Sequence, residues 1–320
     1  MELSIIIPVY NVEKYIRRCL DSIYNQNIPY ESFEVIIVND GTPDKSMEVV
    51  HEYLNLHKNM KIINQENQGL SIARNNGLAA TEGKYVWFID SDDWICEDSI
   101  KCLFGYLNKQ YNLIATNLYY TYDNPVNNRF EREINKDLLL CSKDYISNYS
   151  VGASQRFIIK RDLLVRFQLK FYPGILHEDA EFNLKLVYYA KQVYLLKRPL
   201  YFYYQGNANS IMSSWKLKNS EDMYKVYRLL TVFWKEKVVN DLKLTCRIYS
   251  FKVLLTSLDL KNDLEFKLFY TKIKKEIKKE ALYLLFSKNV TLKRRFIFFT
   301  CSISPYFFNI IRQKIEKVRA

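Results

Sequence analysis

Glycine and proline are scarce in this chain, 8 and 7 in 320 residues. That scarcity excludes collagen-like, low-complexity and linker-rich classes, and it implies an ordered chain dense in helices and strands. Cysteine is as thin. Cys19, Cys96, Cys102, Cys141, Cys246 and Cys301 are scattered, with no Cys-x-x-Cys pair and no zinc spacing. Neither a disulfide framework nor a zinc module is expected, and a reduced cytoplasmic setting is the simplest reading. The N-terminus lacks a basic segment, and its apolar stretch meets Pro8 directly after Leu3-Ser4-Ile5-Ile6-Ile7, too soon for a signal peptide. No Gly-x-Gly-x-x-Gly follows that stretch, and Gly-x-x-x-x-Gly-Lys-Ser/Thr occurs nowhere, which removes the dinucleotide and P-loop fingerprints.

What is abundant is aromatic and basic. Aromatics make up 15% of the chain, led by 26 Tyr. The net charge of +12 is unevenly placed: residues 216–320 hold 24 Lys+Arg against 10 Asp+Glu, whereas residues 1–215 are slightly acidic. Nucleic acid is therefore not an expected partner of the chain as a whole, while a basic C-terminal region suits an anionic surface.

The first hundred residues alternate short apolar runs with helical patterns. Leu3–Val9, Phe33–Val38, Met60–Ile63 and Lys84–Ile89 read as strands, and residues 12–24, 47–54 and 70–79 as helices between them. This rhythm predicts an α/β fold with a mostly parallel central sheet flanked by helices. Ligands of such sheets sit beyond the carboxyl ends of the strands. The spacing further predicts strands over 113–122 and 155–159, a helix over 178–189 and a Tyr-rich strand region over 193–204. From about Asn219 the pattern is helical. We expect two parts, 1–215 and 216–320.

One strand end is chemically unusual. In "VWFIDSDDW" an apolar run stops at Asp90, Asp92 and Asp93. Carboxylates this close raise one another's pKa unless a cation sits among them. Asp-x-Asp on an extended segment sets two carboxylates on one side, a hard-oxygen pair suited to Mg²⁺ or Mn²⁺. The competing reading is an acidic turn in which Asp92 or Asp93 caps a helix from about Glu97. Other strand ends are equally open. Pro8-Val9-Tyr10 ends strand pairing and either lies under a planar base or is a plain strand end. Asp40 either accepts a hydrogen bond from a base or forms a turn with Gly41. Arg74 either meets a phosphate or pairs with a surface acid.

Taken together, "SIIIPVYNVEKYIRRCLDSIYNQ", "FEVIIVNDGTPDKS", "NQGLSIARNNGLAATEGKYVWFIDSDD" and "HEDAEF" resemble the inverting nucleotide-sugar glycosyltransferases of family 2, which have the Rossmann-like GT-A fold. The resemblance is strong over residues 3–100 and looser to about 212. It implies that Pro8, Val9 and Tyr10 line the nucleobase pocket and that Asp40 bonds the base, usually uracil. It sets Asn67, Gly69 and Arg74 beside the nucleotide, with Asp90 and Ser91 at the ribose or metal and Asp92 on the divalent ion. Asp179 matches the family's catalytic base, with Glu178 beside it; both also suit a helix N-terminus. His177 is assigned either the acceptor or a structural role. Many relatives carry an Arg and a His before an Asn-Ser pair that closes over the diphosphate. Here Gln205 stands for the Arg and Asn207 or Ala208 for the His, while Asn209 and Ser210 remain, leaving Ser210 as the donor.

The resemblance implies transfer of a sugar from a UDP-sugar to a glycan or lipid-linked glycan acceptor in bacterial surface-polysaccharide assembly. Competing classes are a sugar-nucleotide nucleotidyltransferase, which needs a Gly-rich basic loop that "PVYNVEKY" lacks, and an inactive nucleotide-sugar-binding domain. An aspartyl phosphatase would place its Asp-x-Asp after the first strand. Finally, "LKRRFIFFTCSISPYFFNIIRQKIEK" joins basic flanks to a 16-residue apolar span, short of the ~20 needed to cross a bilayer. Residues 290–320 are read either as a peripheral contact with an anionic membrane or as helices packed on the catalytic domain or another subunit of a homo-oligomer.

Overall fold

A computed structural model describes residues 1–123, 125–132, 134–207, 216–239, 242–258 and 264–304. Its strands are β1 (Leu3–Val9), β2 (Phe33–Asp40), β3 (Met60–Gln65), β4 (Tyr85–Phe88), β5 (Trp94–Ile95), β6 (Leu113–Ala115), β7 (Leu118–Thr121), β8 (Arg129–Phe130), β9 (Leu138–Cys141), β10 (Phe157–Lys160), β11 (Gln192–Leu195) and β12 (Tyr201–Tyr204). Its helices are α1 (Ile16–Tyr24), α2 (Ser46–Leu56), α3 (Leu70–Ala79), α4 (Ser99–Leu107), α5 (Ser142–Asn148), α6 (Arg161–Arg166), α7 (Glu178–Ala190), α8 (Leu217–Glu236), α9 (Leu242–Thr256), α10 (Leu264–Phe286) and α11 (Leu292–Ile303).

Two compact units result, Met1–Gly174 with Glu178–Asn209, and Ile175–His177 with Ser210–Ala320. In the first, an eight-stranded sheet runs β3-β2-β1-β4-β10-β6-β11-β9. It is parallel from β3 to β4 and mixed beyond, because β10 runs antiparallel to both β4 and β6, and β9 antiparallel to β11. The Tyr-rich stretch 193–204 is divided between two sheets. β11 stays in the large one, while β12 joins β5, β7 and β8 in a second, four-stranded sheet. Strands are expected at β7 and β12, but not at the two-residue β5 and β8, nor the grouping of the four into a separate sheet.

β1 is buried along its whole length. Pro8 does not end it: the strand continues in register with β2 through Pro8↔Val38 and Val9↔Asn39. The reason is the two-residue period of a strand. Ile6 O accepts from Ile89 N, so the backbone of residue 6 faces β4, and that of Pro8 faces the same side. Pairing with β4 has stopped at Ile6↔Phe88, so the missing proline N–H leaves no ladder bond unmade.

α3 packs on the other face of the same strands through Gly77, where an added Cβ would overlap Ile6 Cγ2 and stand 3.1 Å from Val38 Cγ2. Alanine is the better helix former by about 1 kcal/mol. Overpacking two β-branched strand side chains costs about 1–3 kcal/mol, so the clash outweighs the gain. Gly77→Ala is expected to lose about 1–2 kcal/mol in urea denaturation; an unchanged midpoint would show that α3 shifts freely.

In the second unit α8, α9, α10 and α11 pack on one another. Among the described residues no helix is long and apolar enough to cross a membrane.

Candidate active site

The Asp90–Asp93 loop leaves the carboxyl end of β4 and is anchored from several directions. Tyr201 on β12 makes two bonds at once: its hydroxyl accepts from Asp90 N at 3.1 Å and donates to Asp93 Oδ2 at 2.6 Å. Tyr204 N donates to Asp93 Oδ1 at 2.8 Å. Asp93 is thus buried and bound on both oxygens, and burial followed by the Asp92 and Asp90 charges pushes its pKa well above the carboxylate range. The capping reading fails for Asp92 and Asp93 alike, because β5 intervenes and the residue before α4 is Asp98. Arg18 Nη2 donates to Asp92 O at 3.0 Å, with its guanidinium stacked 3.7 Å from the Trp94 ring and 4.5 Å from Tyr204.

The side chains of Asp90 and Asp92 face different surroundings. Asp90 Oδ1 takes Arg74 Nη2 at 2.7 Å, and Oδ2 accepts from Gln155 Nε2. Both of its oxygens are engaged, so Asp90 is less available to a metal than the resemblance implies. Asp92 Oδ2 accepts from Asn207 Nδ2 at 2.8 Å. Burial and then the Asp90 charge raise its pKa, against the weaker opposing pull of the Asn207 hydrogen bond and the Arg18 charge. A partly exposed carboxylate in that position fits a hard divalent ion, which is commonly held by one or two carboxylates and completed by substrate phosphates. Among the described residues no three His, Cys, Asp or Glu side chains converge as a full cage.

Arg74, placed by the resemblance beside the nucleotide, is 2% exposed and lies beneath the carboxylates. Its Nη2 holds Asp90 while its Nη1 donates to Glu178 Oε1 at 2.6 Å. One buried guanidinium therefore ties the β4 loop to the first turn of α7. Burial raises the Glu178 pKa to about 7 even against the pull of Arg74. Asp179, next in the chain and partly exposed, accepts Ala153 N at 2.8 Å on Oδ2. Ala153 takes φ +60°, a costly left-handed conformation for a residue with a Cβ. Two residues on, Gln155 reaches Asp90, and its carbonyl is held by Trp87 Nε1 at 2.7 Å. A single turn between residues 153 and 155 thus touches both acidic groups. Tyr203 senses all of them: burial, then Asp93, Asp90, Asp179 and Asp92, drive its hydroxyl pKa upward.

The remaining expected residues are distributed as follows. Tyr10 is 48% exposed at the end of β1, whereas Pro8, Val9 and Ser91 are buried. Asp40 is engaged within the protein, with Oδ1 accepting from Gln68 N and Gln65 Nε2 and Oδ2 from Gly69 N. It orders the loop that carries exposed Asn67 and half-buried Gly69, the latter at φ +86°. Gly41 is required next to it: φ is +66°, and a Cβ would stand 3.0 Å from Asn67 N. His177 Nε2 lies 3.3 Å from Asn219 Nδ2 in the second unit. Ser210 lies outside the described residues. The residues that sequence reasoning missed are Gln155, Ala153, Tyr201 and Tyr203. They sit 63 to 113 positions beyond Asp90, and no local pattern marks them.

A layered mixed sheet flanked by helices, with an acidic loop at the carboxyl end of β4, is the GT-A architecture. The family described as Glycosyl transferase family 2 matches residues 4–167, and the chain belongs to it. It is 33% identical over 214 residues to glycosyltransferase GlyA of Streptococcus pneumoniae, covering 63% of this chain and 30% of that protein. It is 30% identical over 246 residues to the putative glycosyltransferase EpsH of Bacillus subtilis, covering 73% of this chain and 69% of the relative. The chain thus spans less than a third of GlyA and about two thirds of EpsH. The fold is similar to the crystal structure of S. aureus TarS 1-349 in complex with UDP-GlcNAc, with TM-score 0.74, 20% identity, and 98% and 92% of the two chains covered.

Proposed function

We propose that this protein transfers a sugar, with inversion, from a UDP-sugar to a glycan or lipid-linked glycan acceptor of a bacterial surface polysaccharide. The observation that carries this reading is the Asp90–Arg74–Glu178 bridge, which joins the Asp-x-Asp loop to the turn bearing Asp179. Leaving-group stabilisation and proton removal need two acidic groups in one site that do not quench each other. Arg74 offsets the charges of Asp90 and Glu178, and Asp92 and Asp179 remain for chemistry. The fold likeness to a UDP-GlcNAc complex supports the donor class.

In this reading Asp179, held by Ala153 N–H, takes the proton of the acceptor hydroxyl as that oxygen attacks the anomeric carbon. Glu178 is fixed on Arg74 and positions the turn. Asp92, steadied by Asn207, would hold Mg²⁺ or Mn²⁺, which when bound would supply Lewis-acid stabilisation of the departing diphosphate. Pro8 and Tyr10 at the end of β1, and the loop that Asp40 orders around Asn67 and Gly69, receive the base and ribose. The bond from anomeric carbon to diphosphate breaks, the new glycosidic bond forms, and the nucleoside diphosphate leaves.

The test is a thermal-shift panel of UDP-, GDP- and dTDP-sugars with and without Mn²⁺. UDP-sugar with Mn²⁺ is expected to give the largest rise in melting temperature. Asp92→Asn, which keeps the Asn207 contact but removes the charge, should abolish the Mn²⁺-dependent part of that rise. Equal stabilisation of wild type and Asp92→Asn would remove Asp92 as the metal-holding residue.

A further inference from the structure

The second unit exposes an apolar face where an ordinary surface helix exposes a polar one. Leu292, Phe296, Phe299 and Ile303 of α11 are 86%, 69%, 49% and 60% exposed. Among the described side chains of that helix no other is exposed. Their spacing of four, three and four residues confines them to an arc of about 60° at 100° per residue. On the inner side Phe298 and Cys301 are buried, and the described polar side chains are half-buried. Arg295 folds back to donate to Leu285 O, Ser287 O and Val290 O, closing the end of α10. The hydroxyls of Thr300 and Ser302 bond backbone carbonyls of their own helix. The helix is therefore apolar on its exposed face as well as on its buried one, and a large apolar face of this kind marks an interaction surface.

α10, which packs against α11, repeats the spacing with different chemistry. Lys275, Lys279, Leu282 and Phe286 again follow four, three and four residues apart, and all four are exposed. The acids of the same stretch turn inward. Glu276 accepts from Tyr224 OH at 2.6 Å, and Glu280 takes a two-pronged pair from Arg247 at 2.8 and 3.0 Å. The outer face of α10 from Lys275 onward is thus cationic and then apolar, with its carboxylates neutralised inside the unit.

We infer that the hairpin of α10 and α11 docks on the surface of an anionic lipid bilayer. α11, at 12 residues, is about 18 Å long, well short of the ~30 Å hydrocarbon layer, so it would lie in the interface. Phenylalanine and leucine enter the acyl boundary while lysines meet anionic headgroups, the two signals that interfacial binding requires. Charge selects this occupant over a second copy of the chain, since two such faces would bring lysine against lysine.

The experiment is co-sedimentation of the full chain with vesicles of phosphatidylcholine alone or mixed with phosphatidylglycerol. The wild type is expected to pellet with the anionic vesicles, with affinity at least tenfold above that for neutral ones and falling with added salt. Phe296→Glu with Phe299→Glu should lower that affinity at least tenfold. Lys275→Glu with Lys279→Glu should erase the preference for phosphatidylglycerol. Both pairs are exposed, and an unchanged melting temperature with an unchanged UDP-sugar shift would separate a lipid defect from misfolding or loss of the donor site. Wild type remaining in the supernatant, either variant binding as wild type does, or a phenylalanine variant that loses only concentration-dependent self-association would overturn the inference.

Discussion

Replacing Arg74 by methionine is expected to cost about 3–5 kcal/mol of stability, because it leaves Asp90 and Glu178 without the cation they share. The side chain is 2% exposed and satisfies two carboxylates at 2.7 and 2.6 Å, so water cannot take its place. The pH dependence carries the signature. Burial already lifts Glu178 to about 7, above its unfolded value. A carboxyl raised in the folded state favours folding while protonated, and that advantage is lost as pH rises from the unfolded towards the folded pKa. Without Arg74 the folded pKa moves higher still. The deficit of Arg74→Met should therefore be small near pH 5 and large near pH 8. Arg74→Lys, with one ammonium for two carboxylates, should recover part of it. Urea denaturation across that range is the measurement, and a pH-independent deficit would show that the loss is one of packing alone.

The second large effect belongs to Asp179. An asparagine keeps a carbonyl oxygen for Ala153 N–H, so the turn should stay in place and stability should change by less than about 1 kcal/mol. It cannot accept the acceptor's proton. Turnover should fall about 10²–10⁴-fold while donor affinity stays within a few-fold. Calorimetric titration with a UDP-sugar measures the second quantity. Release of UDP, with water as a surrogate acceptor when the natural one is not in hand, measures the first. A variant that turns over at the wild-type rate would remove Asp179 as base and leave it as an anchor for residue 153.

Much of the fold was legible because its signals are local. The largely apolar runs of β1, β2 and β4 and the helix faces of α1 and α3 follow from side-chain periodicity, and α3 lies at residues 70–79 as the spacing predicts. β7 and β12 fall within the stretches 113–122 and 193–204 that read as strands, whereas the short strands β5 and β8, and the pairing of all four into a second sheet, were not legible in the same way. At two residues β5 and β8 carry too few side chains to show a period, and the sheet exists because its strands pair with partners distant in the chain. Pro8 shows a different limit. A proline reads as a strand end unless it is known that the neighbouring strand has already departed on its N–H side.

The site divides along the same line. The sequence by itself determined the inventory: an Asp-x-Asp at the end of an apolar run, an acidic pair at a helix start, an arginine upstream of both, and a basic C-terminal region. Only the tertiary structure decided what each group does to the others. It made Arg74 a buried bridge between Asp90 and Glu178, engaged Asp40 on its own loop, and bound both oxygens of Asp90 while setting Asp92 on Asn207. It also brought Gln155, Tyr201 and Tyr203 to the carboxylates from positions more than sixty residues away. The physical reason is range. Periodicity and turn chemistry act over a few residues, whereas charge compensation and desolvation depend on which distant segments fold to within a few ångströms.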